Sequence, residues 1–351
     1  MPVASLARHR SQRDGGRRSE SKDAESKRQA RAKTKAPFPA HTEIQLATLV
    51  DAVPVGDEWV HEIKLDGYRL IAELRSGGVK LKTRGDQDWT ARFPRLVEAL
   101  EGIDVETAIF DGEVVVLDEH GVSDFQLLQN ALSAGARQSP HYFVFDLLYL
   151  DGHDLRQLPL VERKKRLRVV LGPSTKSKSA IHYCDHVIGR GEVFYTQACE
   201  LGLEGVVSKR GDRPHFAGRT REWVKTKCSR QQEFVIGGYT DPAGSRQNLG
   251  ALLLGVHENG RLVYAGKVGT GFSQASLAQI HQRLEPLGRD DSPFDDVPRA
   301  DQRGVHWVKP ALVAEVRFTS FTQDGRLRHP TFRGLRDDKR PEEVIRERAV
   351  P

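Results

Sequence analysis

Between Trp59 and Arg69 the chain alternates like a β-strand and then breaks at Asp66-Gly67. Lys64 falls in the last strand positions, where a half-buried strand normally carries something apolar or neutral. Glu62 and Lys64 are two apart, so both point to one face of that strand. That face then holds a carboxylate and an amine beside a glycine turn. Taken alone, the pattern is the solvated edge of a hairpin. Repeated on several strands, it builds a charged site on a sheet.

The surrounding chain supplies those strands. Gln45–Val50 leads in, and Leu70–Leu74 and Val79–Thr83 form a hairpin around Ser76-Gly77-Gly78. Ala108–Asp118 is a buried-looking strand interrupted by Asp111-Gly112-Glu113, and Tyr142–Leu150 is another with one acid, Asp146, inside it. Helices are expected from Phe93-Pro94 to Leu100, with Pro94 in the first turn. Others run from an Asp124 cap to Leu132, over Leu160–Leu171 and over Gly191–Leu201. Two short strands, Glu204–Lys209 and Trp223–Lys227, carry charges. From Glu233 onward the texture changes to short β-like runs divided by glycines, with one helix over Ser273–Leu284. That pattern suits a small barrel such as an OB-fold.

Charge is distributed unevenly. Residues 1–40 hold 11 Lys+Arg against 4 Asp+Glu, while the remainder holds 43 against 44. Almost nothing apolar precedes Phe38, so the leader is expected to be disordered. A basic arm suits non-specific contacts with phosphates of a nucleic acid, and equally a solubilising linker. No run of about 18 apolar residues occurs, so no membrane span is expected. No apolar segment follows the N-terminal charges, which argues against a secretory signal. Cys184, Cys199 and Cys228 match no zinc or disulfide spacing, which points to a reducing cytoplasm.

The charged strand positions suit one kind of chemistry. Lys225 and Lys227, two apart on a strand, project both amines to one face, roughly 6–7 Å apart. They suit the oxygens of one phosphate, and their field is expected to depress the pKa of a neighbouring lysine and make it a nucleophile. Lys64 is the obvious third. Glu204 suits a Mg²⁺ that takes its other ligands from phosphate oxygens. Glu113 suits the same metal or a ribose hydroxyl. Phe145, beside Asp146, offers a stacking face for a purine.

Lys64-Leu65-Asp66-Gly67-Tyr68-Arg69 resembles the KxDGxR signature of the covalent nucleotidyltransferases, which include ATP-dependent DNA ligases, RNA ligases and capping enzymes. Asp111-Gly112-Glu113, Phe143-Val144-Phe145-Asp146, Glu204-Gly205-Val206-Val207-Ser208-Lys209 and Trp223-Val224-Lys225-Thr226-Lys227 resemble the later motifs, in the family's order. Leu327 to Lys339 resembles motif VI of DNA ligases. His61–Lys64, Gly244-Ser245-Arg246, Gly250–Gly255, Gly266–Phe272 and Trp307–Pro310 resemble more narrowly the ligase module of bacterial ligase D. With that family's polymerase and phosphoesterase domains not expected here, the resemblance is to the stand-alone ligase module with a basic leader.

The resemblance implies an α+β fold. An adenylation domain of antiparallel sheets with flanking helices (41–230) precedes an OB-fold β-barrel (231–345), with a leader (1–40) and a tail (346–351). It implies that Lys64 attacks ATP and carries AMP, with Lys225 and Lys227 neutralising the α-phosphate. Glu62 would read the adenine amino group next to Ile63, and Phe145 and Val207 would sandwich the base. Arg69 and Glu113 would hold the ribose, and Glu113 and Glu204 the divalent metal, Mg²⁺ or Mn²⁺. Arg84 would meet a phosphate of the nick. Arg336 and Lys339 would orient the leaving pyrophosphate from a barrel that swings about a hinge at Cys228–Gln231. The implied substrate is DNA with nicks or double-strand breaks, in non-homologous end joining. Implied partners are bacterial Ku and separate polymerase and phosphoesterase proteins; the enzyme is expected to be a monomer in the cytoplasm. An RNA ligase, or a DNA-end-binding protein without activity, is the alternative.

Overall fold

The computed structural model describes residues 35–76, 78–132, 139–172, 179–242 and 247–350. The leader ahead of Lys35, Gly77 of the first hairpin and Gly244-Ser245-Arg246 lie outside the described residues. The chain divides into two units, one running to Cys228 and taking in Ala349–Pro351, the other Ser229–Arg348.

The first unit is built on two mainly antiparallel sheets. Its strands are β1 (Gln45–Leu49), β2 (Trp59–Ile63), β3 (Tyr68–Arg75), β4 (Gly78–Thr83), β5 (Ala108–Val115) and β6 (His141–Leu150). They continue with β7 (His153–Asp154), β8 (Ile181–Tyr183), β9 (Val187–Ile188), β10 (Gly205–Arg210) and β11 (Gly218–Lys227). One sheet runs β1-β11-β10-β2-β9; the other runs β4-β3-β5-β6-β7, with β8 alongside β6. Helices α1 (Pro94–Glu101), α2 (Phe125–Ala131), α3 (Leu160–Leu171) and α4 (Gly191–Glu200) complete it.

The alternation read in β3 explains how the second sheet is covered. Tyr68, Leu70, Ala72 and Leu74 share one face. They join one buried cluster with Phe110, Val144, Leu96 and Leu100 of α1, Phe125 and Leu128 of α2, and Leu167 of α3. Truncating a fully buried member such as Phe110 to alanine should cost about 3–5 kcal/mol. The helices start where local chemistry allows. Pro94 sits in the first turn of α1, and the Asp124 side chain accepts from Leu127 N–H to cap α2. Gly67 closes the turn between β2 and β3 because a Cβ there would run into the carbonyl of Val114.

Two expectations need correcting. β2 ends at Ile63, so Lys64 lies one residue beyond the strand, where the chain is already bending toward Asp66-Gly67. Its N–H nevertheless still donates to the Gly205 carbonyl at 2.9 Å. Cys199 and Cys228 form a disulfide, 29 residues apart in sequence, and Cys184 alone is free. The spacing carried no such signal, because folding brings the end of α4 to the end of β11. In the C-terminal segment, Glu347 N–H donates to Gln232 Oε1 at 3.1 Å, and Val350 pairs with Val50.

The second unit contains β12 (Gln231–Thr240), β13 (Leu252–Glu258), β14 (Arg261–Val268), β15 (Val305–Arg317), β16 (Ser320–Phe321), β17 (Leu327–Arg328) and β18 (Thr331–Leu335). Helix α5 (Gln274–Leu284) is capped reciprocally by Ser273 and Ser276. The five-stranded sheet runs β14-β13-β12-β15-β18, and its described pairings do not close into a ring. Its buried face includes Phe234, Leu252, Leu254, Tyr264 and Val316, with Leu277 and Ile280 of α5 packed in. No helix among the described residues is long and apolar enough to cross a membrane.

Candidate active site

Strand register assembles the site. β10 pairs with β2 and β11 so that Glu62, Val207 and Lys225 form one row across three strands. Cross-strand neighbours point to the same face, so a carboxylate, a small apolar side chain and an amine stand side by side. In the next row Gly205 lies opposite Lys227 and bonds the backbone of Lys64. Gly205 takes φ +153°, and a Cβ there would meet Thr226 and Lys227 backbone. On the other sheet, Arg69, Glu113 and Phe143 make a further row across β3, β5 and β6. Between the sheets lies a cavity of about 130 Å³.

At one end of the cavity Lys64 Nζ donates to Glu204 Oε2 at 2.5 Å. The Lys64 side chain is 21% exposed and Glu204 6%. Burial works to lower the Lys64 pKa, but Glu204, with Asp66 and Glu113 behind it, prevails and holds the ammonium above the ordinary lysine value. This reverses the depressed pKa expected from Lys225 and Lys227: the nearest charges to the amine are carboxylates.

At the other end Glu62 is 2% exposed and flanked by two lysines. Lys164 Nζ reaches one oxygen and Lys209 Nζ the other, each at 2.5 Å. Burial pushes the Glu62 carboxyl up, and the two ammonium groups overcome it and hold it below the ordinary carboxylate range. Burial pulls Lys209 down, with Lys164 adding to it and Glu62 opposing. Lys209 also lies 3.9 Å from the Phe145 ring centroid and 4.1 Å from that of Trp223, contacts that favour a desolvated cation. Phe145 and Trp223 meet edge to face at 5.9 Å. The result is an aromatic corner with a fixed hydrogen-bond acceptor at its back, a shape suited to a flat heterocycle.

Arg69 braces the sheets. Its Nε and Nη2 donate to Asp111 at 2.9 and 2.6 Å, and Nη1 donates to the Gln45 carbonyl at 2.7 Å. Asp146, next to Phe145, is fully buried against Arg163 of α3 in a two-point contact at 2.7 Å. Burial raises its pKa, but Arg163 brings it down to about 2.

Of the sequence-derived candidates, Glu62, Ile63, Lys64, Arg69, Glu113, Phe145, Val207 and Lys225 line the cavity together, and Glu204 joins through Lys64. Lys227 does not line it; its carbonyl accepts from Tyr195 Oη at 3.1 Å. Arg84 follows the end of β4 and is also outside the lining. Arg336 and Lys339 belong to the second unit, where Arg336 pairs with Glu315 at 2.5 Å and Asp338 at 2.8 Å, and Lys339 with Glu233 at 2.7 Å. The sequence reading missed Lys209, Trp223 and Cys184 in the wall, and Lys164 behind it. Lys209 stood in a quoted motif and Trp223 two residues from Lys225; Lys164 gave no signal, since it sits in an ordinary basic helix.

Glu204 holds the Lys64 ammonium and Glu113 lines the same cavity; carboxylate oxygens of this kind suit a divalent cation completed by substrate phosphate oxygens. Among the described residues no group of three or more His, Cys, Asp or Glu forms an all-protein cage.

Comparisons with known proteins agree on one family. The ATP dependent DNA ligase domain matches residues 43–227, and the ATP dependent DNA ligase C terminal region matches 245–339. The chain is 44% identical over 325 residues to the multifunctional non-homologous end joining protein LigD of Pseudomonas aeruginosa, covering 92% of this chain and 38% of that protein. It is 41% identical over 293 residues to the corresponding Mycobacterium tuberculosis protein, covering 83% and 38%. It therefore spans well under half the length of these relatives. A solved mycobacterial DNA ligase D complexed with ATP and MES is 38% identical with a TM-score of 0.64, covering 87% of this chain and 98% of that one.

Proposed function

The chain belongs to the ATP-dependent DNA ligase family, and from that premise we propose that it joins 5′-phosphate and 3′-hydroxyl ends of DNA through AMP carried on Lys64. The observation that supports this best is that the Lys64 amine, the Glu62 acceptor, the Phe145 ring and Lys225 all open onto one cavity. ATP is the first substrate. Its adenine would lie against Phe145 with Val207 on the opposite side, its 6-amino group donating to Glu62. Lys225, with Lys227 in the adjacent row, would face the α-phosphate.

Lys64 Nζ must give up a proton before it can attack, and the Glu204 carboxylate, 2.5 Å away, would accept it. The N–P bond then forms as the bond to pyrophosphate breaks. The AMP passes to the DNA 5′-phosphate, and the 3′-hydroxyl displaces it. These in-line transfers depend on positioning and charge stabilisation. A divalent metal held by Glu204 and Glu113 would supply charge neutralisation at the phosphates. Arg84 is assigned to a nick phosphate, and Arg336 and Lys339 to the first transfer, on the strength of the motifs that carry them. A role in non-homologous end joining is supported by the similarity to the LigD proteins, whereas a Ku-type end-binding partner and a bacterial cytoplasmic location rest on the family resemblance of the motifs alone.

The test is to incubate the protein with Mg²⁺ or Mn²⁺ and α-labelled ATP and look for label on the denatured chain. Label is expected on the wild type and absent from Lys64→Ala; label surviving in that variant sinks the proposal. Sealing of nicked duplexes with DNA or RNA strands then fixes the substrate, with RNA-only sealing pointing to an RNA ligase.

A further inference from the structure

Lys164 has no place in the chemistry above, yet it is among the largest fully buried side chains of the protein, 1% exposed. Its ammonium has three hydrogens and three acceptors: Glu62 Oε1 at 2.5 Å, the Cys184 carbonyl at 3.0 Å and the Phe145 carbonyl at 3.4 Å. Those acceptors come from β2, β6 and the turn after β8, and all three residues line the cavity, while Lys164 itself does not. A buried cation with every donor satisfied is rigid, and removing it would leave a carboxylate short of a partner. One helix residue thus ties three walls of the cavity, and Lys209 holds the second Glu62 oxygen from the opposite side.

We propose that Lys164 is a positioning residue that sets the preference for ATP over GTP by fixing Glu62 as an acceptor-only group. The proposal rests on the reading that Lys64 is adenylylated. An ionised carboxylate offers only lone pairs. It matches the 6-amino donor of adenine and opposes the 6-oxo acceptor of guanine. A carboxyl able to take up a proton could turn donor and accept guanine, and a carboxylate free to rotate would match neither well. Two ammonium groups on two oxygens prevent both. Other titratable groups around Glu62 are Tyr183 and Cys184 from β8 and its turn, and His186 ahead of β9. Burial pushes the Cys184 thiol up to about 12 and Tyr183 up, and lowers His186 to about 4. All three are neutral near pH 7, so among the described residues the charges bearing on Glu62 are those of the two lysines.

The experiment measures transfer of labelled nucleotide onto Lys64 from ATP, GTP and ITP for the wild type, Lys164→Met, Lys164→Gln and Lys164→Arg. ITP carries the 6-oxo group without the 2-amino group of guanine. For Lys164→Met, kcat/KM with ATP should fall about tenfold or more, mostly through KM, as expected for loosening a charged contact. Its ATP:ITP and ATP:GTP ratios should fall by about tenfold, and further as the pH is lowered from 8 to 6. Lys164→Gln, which can still donate to a carbonyl but carries no charge, should behave likewise. Lys164→Arg should restore most of the preference. The ratio is internal to each preparation, so a partly unfolded sample lowers both rates and leaves it unchanged. A wild-type ratio in both uncharged variants would overturn the proposal and make Lys164 a packing residue. Wild-type protein that takes no label from any nucleotide would overturn the ligase reading and this inference together.

Discussion

The cavity has a lysine–carboxylate contact at each end, and the two differ in kind. Lys64 and Glu204 make one short contact beside solvent. Glu62 is shared by Lys164 and Lys209, all three within 2% of complete burial. The first can be broken and remade at small cost, since water or a substrate oxygen can replace either partner. The second cannot, because any loss leaves an uncompensated charge in a dry place. A nucleophile has to be released from its partner before it reacts, whereas a group that reads a base must not move. The same residue types serve both needs, and burial decides which.

Glu62→Gln should be the most damaging way to probe this contrast. It leaves two buried ammonium groups without their counter-charge and should lower stability by about 3–5 kcal/mol, measured by chemical denaturation. A loss under 1 kcal/mol would mean the buried cluster is no more committed than the open one. Glu204→Gln should do the opposite, cutting Lys64 labelling by about 100-fold while shifting the melting temperature little. If stability fell as far as in Glu62→Gln, the distinction would collapse.

Acid should separate the regions more gently. Asp146 has a folded pKa of about 2 against an ordinary value of 3.8. Its contribution, about 2 kcal/mol, is fully present above pH ~4 and is lost as the pH falls through that window toward 2. Wild-type protein should show this loss in an acid titration, and Asp146→Asn should show a flatter profile from a lower starting stability. The smallest effect is expected at Lys165, next door to Lys164 but 71% exposed and, among the described residues, paired only with Glu162 on the same helix. Lys165→Ala should change stability by less than about 0.5 kcal/mol; a larger loss would show that burial is the wrong criterion.

The lining of the cavity was legible because its members recur at fixed offsets within short strands. Glu62 and Lys64, or Lys225 and Lys227, declare a shared face by their spacing of two. The groups that govern those members were not legible. Lys164 and Arg163 sit in a helix whose composition reads as a solvated basic face, and only the fold shows them buried against Glu62 and Asp146. Asp146 was visible as an acid in an apolar strand, but nothing in the sequence named its partner 17 residues later. The pKa of Lys64 was misjudged for the same reason. Strand spacing located two lysines near it, and the carboxylate that matters came from Glu204, 140 residues away. The second unit was readable as short strands with one helix, but the order of its five-stranded sheet was not, since that depends on pairings between strands far apart in sequence.

The placement of β10 between β2 and β11 limits how such a chain can accept insertions. Val207 faces Glu62 on one side and Lys225 on the other, so one extra residue inside Gly205–Arg210 would turn every side chain beyond it to the opposite face. An extra residue in the connection between α1 and β5 has no row to disturb. Relatives of this protein should therefore differ freely in the length of chain between the motif strands and hardly at all within them. A length change inside a motif strand would mark a chain that has given up the chemistry while keeping the fold.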